Sequence, residues 1–303
     1  MSEELVRGDP PLDLPVSECL EEIIASLERS IPVVLKAPPG AGKTTGVPPA
    51  LLDHGFASEG QIIIVQPRRL AARAAASRLA SLAGVRLGQE IGYHVRFDRC
   101  ASSKTRLLVV TTGILLRRLT SDPLLDGVSC VLLDEFHERS LEVDLALGML
   151  HRVRSTLRPE LKLVVMSATL EPEPIVPFLG DAFAIESAGR SYPVEIGYTD
   201  TVVRDDYDQH ISNLLPGLLQ RTDGHVLVFL PGVGEIRRVH RTLERQGLGE
   251  HSRVMELYGD LSPREQDLVL RDSDERKIIL STNVAETSVT IPGVGAVIDT
   301  GMA

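Results

Sequence analysis

What this sequence lacks narrows its class first. No apolar run approaches the roughly 18–20 residues that span a bilayer, which argues against a membrane-spanning chain. The opening MSEELVRGDPPLDLP has no apolar signal core, so nothing points to export. Cysteine is scarce. Cys19, Cys100 and Cys130 are odd in number and far apart, with neither a Cys-x-x-Cys pair nor a zinc-like spacing. They read as reduced thiols of a cytoplasmic protein, and a disulfide-stapled miniprotein is excluded. Positive charge is short as well: 32 Lys and Arg stand against 42 Asp and Glu, a net charge of −10. With 43% hydrophobic and 24% charged residues the chain has a globular composition, which excludes disordered and collagen-like classes. A length of 303 residues suits about two domains, each able to bury a core.

The acidic balance hides a basic segment. Residues 61–120 carry eleven Arg and Lys against two acids, Glu90 and Asp98, a local excess of nine positive charges. Such a field suits a polyanion; solvated helix faces with acidic neighbours in the fold are the plain alternative.

Short apolar runs alternate with helical patterns along the chain. The strands expected are Val33–Lys36, Ile62–Gln66, Leu107–Thr111, Val131–Asp134 and Leu163–Ser167, then Val194–Tyr198, Val226–Leu230, Val254–Tyr258, Ile278–Thr282 and Ala296–Asp299. Between them, Arg69 to Gly84 is Ala-rich and ends on a glycine suited to a C-cap. A second helix is expected to start at Ser140 as N-cap, with Val143, Leu147 and Leu150 on one stripe. Near-continuous apolar strands separated by helices imply mainly parallel sheets covered on both faces, an α/β fold. The rhythm loosens over Glu171–Tyr192, which places a domain boundary near Ser191. An extension at 1–16, a first domain at 17–190 and a second at 191–303 follow. The second ends one strand after its last helix and reads as incomplete.

Three motifs carry chemistry. In VVLKAPPGAGKTTGVP a strand runs into a turn with Gly40 and Gly42, and Lys43, Thr44 and Thr45 open a helix. Phosphates need backbone N–H groups, a helix N-terminus, a lysine and a hydroxyl for Mg2+. Lys43 suits the outer phosphates and Thr44 the metal. The strict P-loop pattern fails at its first position, Ala37, and a Gly/Pro-rich connection is the plain alternative. In CVLLDEFHERS an apolar run delivers Asp134 and Glu135 at a strand's C-terminal end, with His137 and Glu138 extending the cluster. In a nucleotide site the first carboxylate would order metal-bound water and the second polarise the attacking water; an exposed acidic turn is the plain alternative. In VVMSATL, Ser167 and Thr169 place small hydroxyls at the same sheet edge.

Taken in order, APPGAGKTT, QPRRLAA, TTGILLR, DEFH, SAT, GRSYPV, LVFLPGVGEI, LYGDLSPREQ and TNVAETSVTI resemble the motif series of DEAH-type superfamily 2 helicases. DEFH with PPGAGKTT and PRRLAA is most similar to the bacterial HrpB-type ATP-dependent RNA helicases. The resemblance runs from about Leu14 onward and implies two tandem RecA-like domains, the second incomplete.

Position by position, the resemblance implies a triphosphate cradle of Pro39, Gly40, Ala41, Gly42, Lys43, Thr44 and Thr45, holding ATP or another NTP. Thr44, Asp134 and Glu135 would serve Mg2+, with Glu135 as base. His137, Ser167 and Thr169 would couple nucleotide state to domain movement. Arg68, Arg69, Thr111, Thr112, Thr282 and Asn283 would grip the backbone of single-stranded RNA, DNA not being excluded. Thr111 and Thr112 also suit a helix cap, and Arg68 and Arg69 a solvated helix start. Arg78 matches an arginine that stacks on the nucleotide base, or is an ordinary exposed helix residue.

Three departures stand out. Leu270 replaces an aromatic residue of several relatives, which fits weak discrimination among nucleotides. Pro292 replaces an acidic residue. The chain reaches Ala303 before the family's Q-R-x-G-R-x-G-R run, whose arginines act on the transferring phosphate. Nucleotide binding with weak or absent hydrolysis is therefore expected of these residues. A non-catalytic nucleotide-dependent RNA-binding module, or one half of a helicase completed by a separate chain, are the alternatives.

Overall fold

In the first part of the chain, strands with both faces buried build one sheet. A computed structural model describes residues 14–169, 174–189, 193–199, 206–248, 252–286 and 289–302. The chain divides into two compact units, Met1–Pro193 and Val194–Ala303. Ser191, where the sequence suggested a boundary, lies outside the described residues, as do most of the 1–16 extension, Leu170, and parts of the GRSYPV and TNVAETSVTI runs.

The first unit contains β1 (Val33–Lys36), β2 (Gln61–Gln66), β3 (Ile91–Val95), β4 (Asp98–Cys100), β5 (Leu107–Thr111), β6 (Val128–Leu133), β7 (Lys162–Ser167) and β8 (Phe183–Glu186). They form one sheet in the order β4-β3-β5-β2-β6-β7-β1-β8, parallel except for the β3–β4 pair. The helices are α1 (Leu20–Glu28), α2 (Lys43–Asp53), α3 (Arg69–Leu82), α4 (Thr112–Ser121), α5 (Leu141–Thr156) and α6 (Ile175–Leu179).

Strand side chains point alternately to the two faces, and both faces of the central strands are buried. Leu35, Ile62, Ile64, Val109, Leu132 and Met166 pack on one face with Ile23, Val47, Leu51 and Ala76 of α1–α3. Val34, Ile63, Val65, Val131, Leu133 and Val165 pack on the other with Leu115, Leu119, Leu147 and Leu150 of α4 and α5. This double burial is why the strands read as continuous apolar runs instead of alternating ones. The Ser140 hydroxyl accepts from the Val143 N–H at 3.2 Å and caps α5 as the sequence suggested.

The second unit has α7 (Tyr207–Arg221), β9 (His225–Phe229), α8 (Val233–Arg245), β10 (Arg253–Leu257), α9 (Pro263–Leu270), β11 (Lys277–Ser281) and β12 (Val294–Asp299). Its sheet, in the order β10-β11-β9-β12, is parallel throughout. One expected strand is absent. Residues 193–199 form none, and Val194, Ile196 and Tyr198 are exposed. Their alternation has the period of a strand, but no neighbouring strand among the described residues offers them a ladder. Conversely, β3, β4 and β8 were not expected.

Candidate functional site

The C-terminal ends of β6, β7 and β1 lie side by side, and the three chemical motifs leave the sheet there. The Ala37 N–H donates to the Ser167 carbonyl at 3.0 Å, so the loop after β1 begins against the end of β7. Pro39 and Gly40 form the exposed tip of that loop, while Ala41 is fully buried. Gly40 (φ 79°) and Gly42 (φ 89°) adopt left-handed backbone, which glycine alone enters without a Cβ penalty. Gly42 is the N-cap of α2, so Lys43, Thr44 and Thr45 form its first turn, where unpaired N–H groups concentrate.

Lys43 is buried, and its Nζ donates to the Ala37 carbonyl at 2.5 Å and to Pro38 at 3.2 Å. Burial pulls its ammonium below the usual lysine range, against the opposing pull of Glu135 and Asp134. The Thr44 hydroxyl donates to Asp134 Oδ2 at 2.6 Å. Asp134, 3% exposed, also accepts from Gln66 Nε2 at 2.7 Å and from the Glu135 N–H at 2.9 Å. Burial raises its carboxyl; these hydrogen bonds and Lys43 oppose the rise.

Glu135 has left-handed backbone (φ 51°), and the Lys43 charge acts on its carboxylate. Burial, and then the neighbouring Asp134 charge, push its carboxyl up to about 7. His137 Nδ1 lies 3.5 Å from Glu135 Oε2 and accepts the Ala168 N–H at 3.3 Å. That bond assigns the proton of the neutral ring to Nε2. Burial holds this imidazole below its usual value. Ser167 is buried as the last residue of β7, and Thr169 is exposed two residues beyond.

This geometry fits a magnesium–phosphate group. One hydroxyl and one carboxylate meet at hydrogen-bond distance beside a helix N-terminus and a lysine. Among the described residues no set of three His, Cys, Asp or Glu could hold a metal ion by itself. A magnesium ion here would take most of its oxygens from water and phosphate, as that ion commonly does.

The expected strand contacts are more dispersed. Arg68 is the N-cap residue of α3, and its Nε donates to Glu138 Oε2 at 3.2 Å. Arg69 opens α3 and is exposed; Arg78 is exposed further along the same helix. Thr111 and Thr112, at the junction of β5 and α4, are both buried. Thr111 makes no side-chain cap bond, and the Thr112 hydroxyl has no hydrogen-bond partner among the described residues. Thr282 and Asn283 follow β11 in the second unit, half-buried and exposed respectively.

The basic segment divides in two. Arg68, Arg73, Arg106 and Arg118 pair with carboxylates. Arg69, Arg78, Arg86, Arg96, Arg99, Lys104 and Arg117 are exposed. Sequence reasoning missed Gln66 as a partner of Asp134. Its signal was a polar residue closing an otherwise apolar strand. It also missed Leu14 and Val16. Val16 is fully buried, its N–H donates to Ala41 O at 3.0 Å, and the Leu14 side chain covers Gly42.

Both units are similar to known proteins. The model of the DEAD/DEAH box helicase family matches residues 17–176, and that of the helicase conserved C-terminal domain matches residues 207–303. The chain is 43% identical over 288 residues to the ATP-dependent RNA helicase HrpB of Escherichia coli, covering 94% of this chain and 35% of that protein. It is 40% identical to an ATP-dependent RNA helicase HrpA homolog of Haemophilus influenzae, covering 97% of this chain and 22% of that protein. The chain thus spans about a third or less of the length of these relatives. The crystal structure of the E. coli DEAH/RHA helicase HrpB superposes with a TM-score of 0.84 at 43% identity, over 95% of this chain and 37% of that one. Similarity over both units to a helicase of known structure makes their fold that of two RecA-like domains.

Proposed function

Because the chain belongs to the DEAD/DEAH box helicase family, we propose that its first unit binds a magnesium–nucleoside triphosphate, ATP among them, and couples turnover to gripping of single-stranded RNA in the cytoplasm. One observation carries this reading. The first turn of α2, with Lys43 and Thr44, faces Asp134 and Glu135 at the end of β6.

The residues divide the work. The loop from Pro39 to Gly42 and the N–H groups of Lys43, Thr44 and Thr45 receive the phosphate chain. Lys43 exchanges its two carbonyl partners for phosphate oxygen, a stronger charge-assisted bond. Thr44 and Asp134, joined at 2.6 Å, would hold magnesium, which would neutralise charge on the outer phosphates. Glu135, raised to about 7, is matched to accept a proton from an attacking water near neutral pH. His137 touches both Glu135 and the backbone after β7, so it links the carboxylate to the Ser167–Thr169 segment. By the resemblance, Arg78 is assigned to the base, and Arg68, Arg69, Thr111, Thr112, Thr282 and Asn283 to the strand's backbone.

No Q-R-x-G-R-x-G-R run occurs in these 303 residues, so this chain assayed by itself is expected to bind nucleotide and hydrolyse it weakly. The test is nucleotide binding and hydrolysis with and without single-stranded RNA, with Lys43→Ala as control. Binding weakened at least about tenfold by Lys43→Ala supports the reading. Equal binding by both proteins overturns it, and strong RNA-stimulated turnover overturns the expectation of weak hydrolysis.

A further inference from the structure

We propose that the Arg68–Glu138 ion pair transmits strand binding to the DEFH turn, with Glu138 as a positioning residue. The inference rests on the reading above, in which Arg68 touches the strand and Glu135 serves the attacking water.

The two residues are 70 positions apart, and the pair joins the start of α3 to the turn after β6. Its halves differ in exposure. The Arg68 side chain is 32% exposed and that of Glu138 only 13%, so the guanidinium reaches solvent while the carboxylate faces inward. A guanidinium presents five N–H donors in a fixed fork. A strand phosphate that draws the guanidinium pulls on the carboxylate it holds.

The turn that carries Glu138 holds strained backbone beside Glu135. Two of its non-glycine residues have positive φ, Glu135 (51°, left-handed) and Arg139 (33°). Such strain persists only where surrounding contacts hold it. The Glu138 N–H donates to Glu135 O at 3.0 Å, so a shift of Glu138 acts directly on the backbone of Glu135. Arg139 is fastened by two bonds to Asp144, at 3.0 and 2.8 Å, and His137 by the Ala168 N–H. Of these fastenings, the one through Glu138 ends on a candidate strand contact.

Linkage supplies a test that needs no turnover. If the strand acts on the nucleotide site, nucleotide must change strand affinity by the same factor. A fluorescent oligouridylate is titrated into the 303-residue chain with and without magnesium and a non-hydrolysable ATP analogue, and the analogue with and without RNA. A ratio of about fivefold or more is expected for the unaltered chain. Glu138→Gln is expected to bring it below about twofold, with each ligand's own Kd within about threefold of the unaltered value. Asp144→Asn, which loosens the other end of the same turn, is expected to keep the ratio. A Glu138→Gln variant with the full ratio overturns the proposal. So does equal loss in Asp144→Asn, which would make the pair merely structural, or an unaltered chain that binds both ligands with a ratio of one. Failure of either ligand to bind alone overturns the proposed function, and this inference with it, and is recognisable before any ratio is measured.

Discussion

The Thr44 hydroxyl donates to Asp134 Oδ2 at 2.6 Å across 90 residues of sequence. This bond joins the phosphate loop to the DEFH turn and brings the two oxygens suited to magnesium together before any ligand arrives. Preorganisation of this kind lowers the ordering cost of binding. It also gives Thr44 a role that can be separated from that of Lys43.

Thr44→Ala is expected to weaken nucleotide binding about tenfold or more in magnesium and to change it little in EDTA, because the hydroxyl acts through the metal. Titration of a fluorescent nucleotide in both buffers checks this. An equal loss in both would show that Thr44 contacts phosphate alone.

Glu135 titrates in the folded state at about 7, above its ordinary 4.5. The folded protein therefore binds more protons than the unfolded chain between these values, and stability falls as pH rises through that window. Glu135→Gln removes the buried charge. It is expected to stabilise the ligand-free protein by about 3 kcal/mol near pH 8 and by under about 1 kcal/mol near pH 5. Urea unfolding in EDTA at the two pH values measures the difference.

Gly40 and Gly42 both have positive φ, but a Cβ at Gly40 meets nothing within 4 Å, whereas at Gly42 it meets Leu14 Cδ1 at 2.7 Å. Gly40→Ala is expected to cost about 1–2 kcal/mol from backbone strain alone. Gly42→Ala should cost more, and Leu14→Ala in the same chain should restore part of the excess. Unfolding free energies of the single and double variants test this non-additivity.

Phe136 is 1% exposed and packs in the core beneath the turn that carries Glu135. Phe136→Ala is expected to destabilise the first unit by about 3–5 kcal/mol. A thermal unfolding profile with an unchanged first-unit transition would contradict that packing role.

Most of the parallel sheet was legible because doubly buried strands need apolar residues at every position. β1 and β5 begin and end at the expected residues, Val33–Lys36 and Leu107–Thr111. β8 was not legible: of its four residues only Ile185 is buried, so no pattern separates it from a loop. β3 was hidden by Gly92 and His94 within its five residues, and β4, an edge strand of three residues, pairs with it alone. The run at 194–198 shows the reverse, a strand-like alternation with no pairing neighbour among the described residues.

By itself the sequence determined the α/β class and the family. It also determined that a lysine, two hydroxyls and two carboxylates stand at fixed spacings along strand, turn and helix, the residue types that the proposed phosphate and carboxylate chemistry demands. Distances between segments far apart in the chain were left to the tertiary structure. Only packing decided that Gln66 and Thr44 share one oxygen of Asp134, that Leu14 closes over Gly42, and that Arg68 holds Glu138. The physical reason is that local spacing constrains a side chain's type and its element, whereas partners tens of residues away are set by strand order, register and packing. In this chain strand order placed β6, β7 and β1 side by side, and the chemistry assembled at their ends.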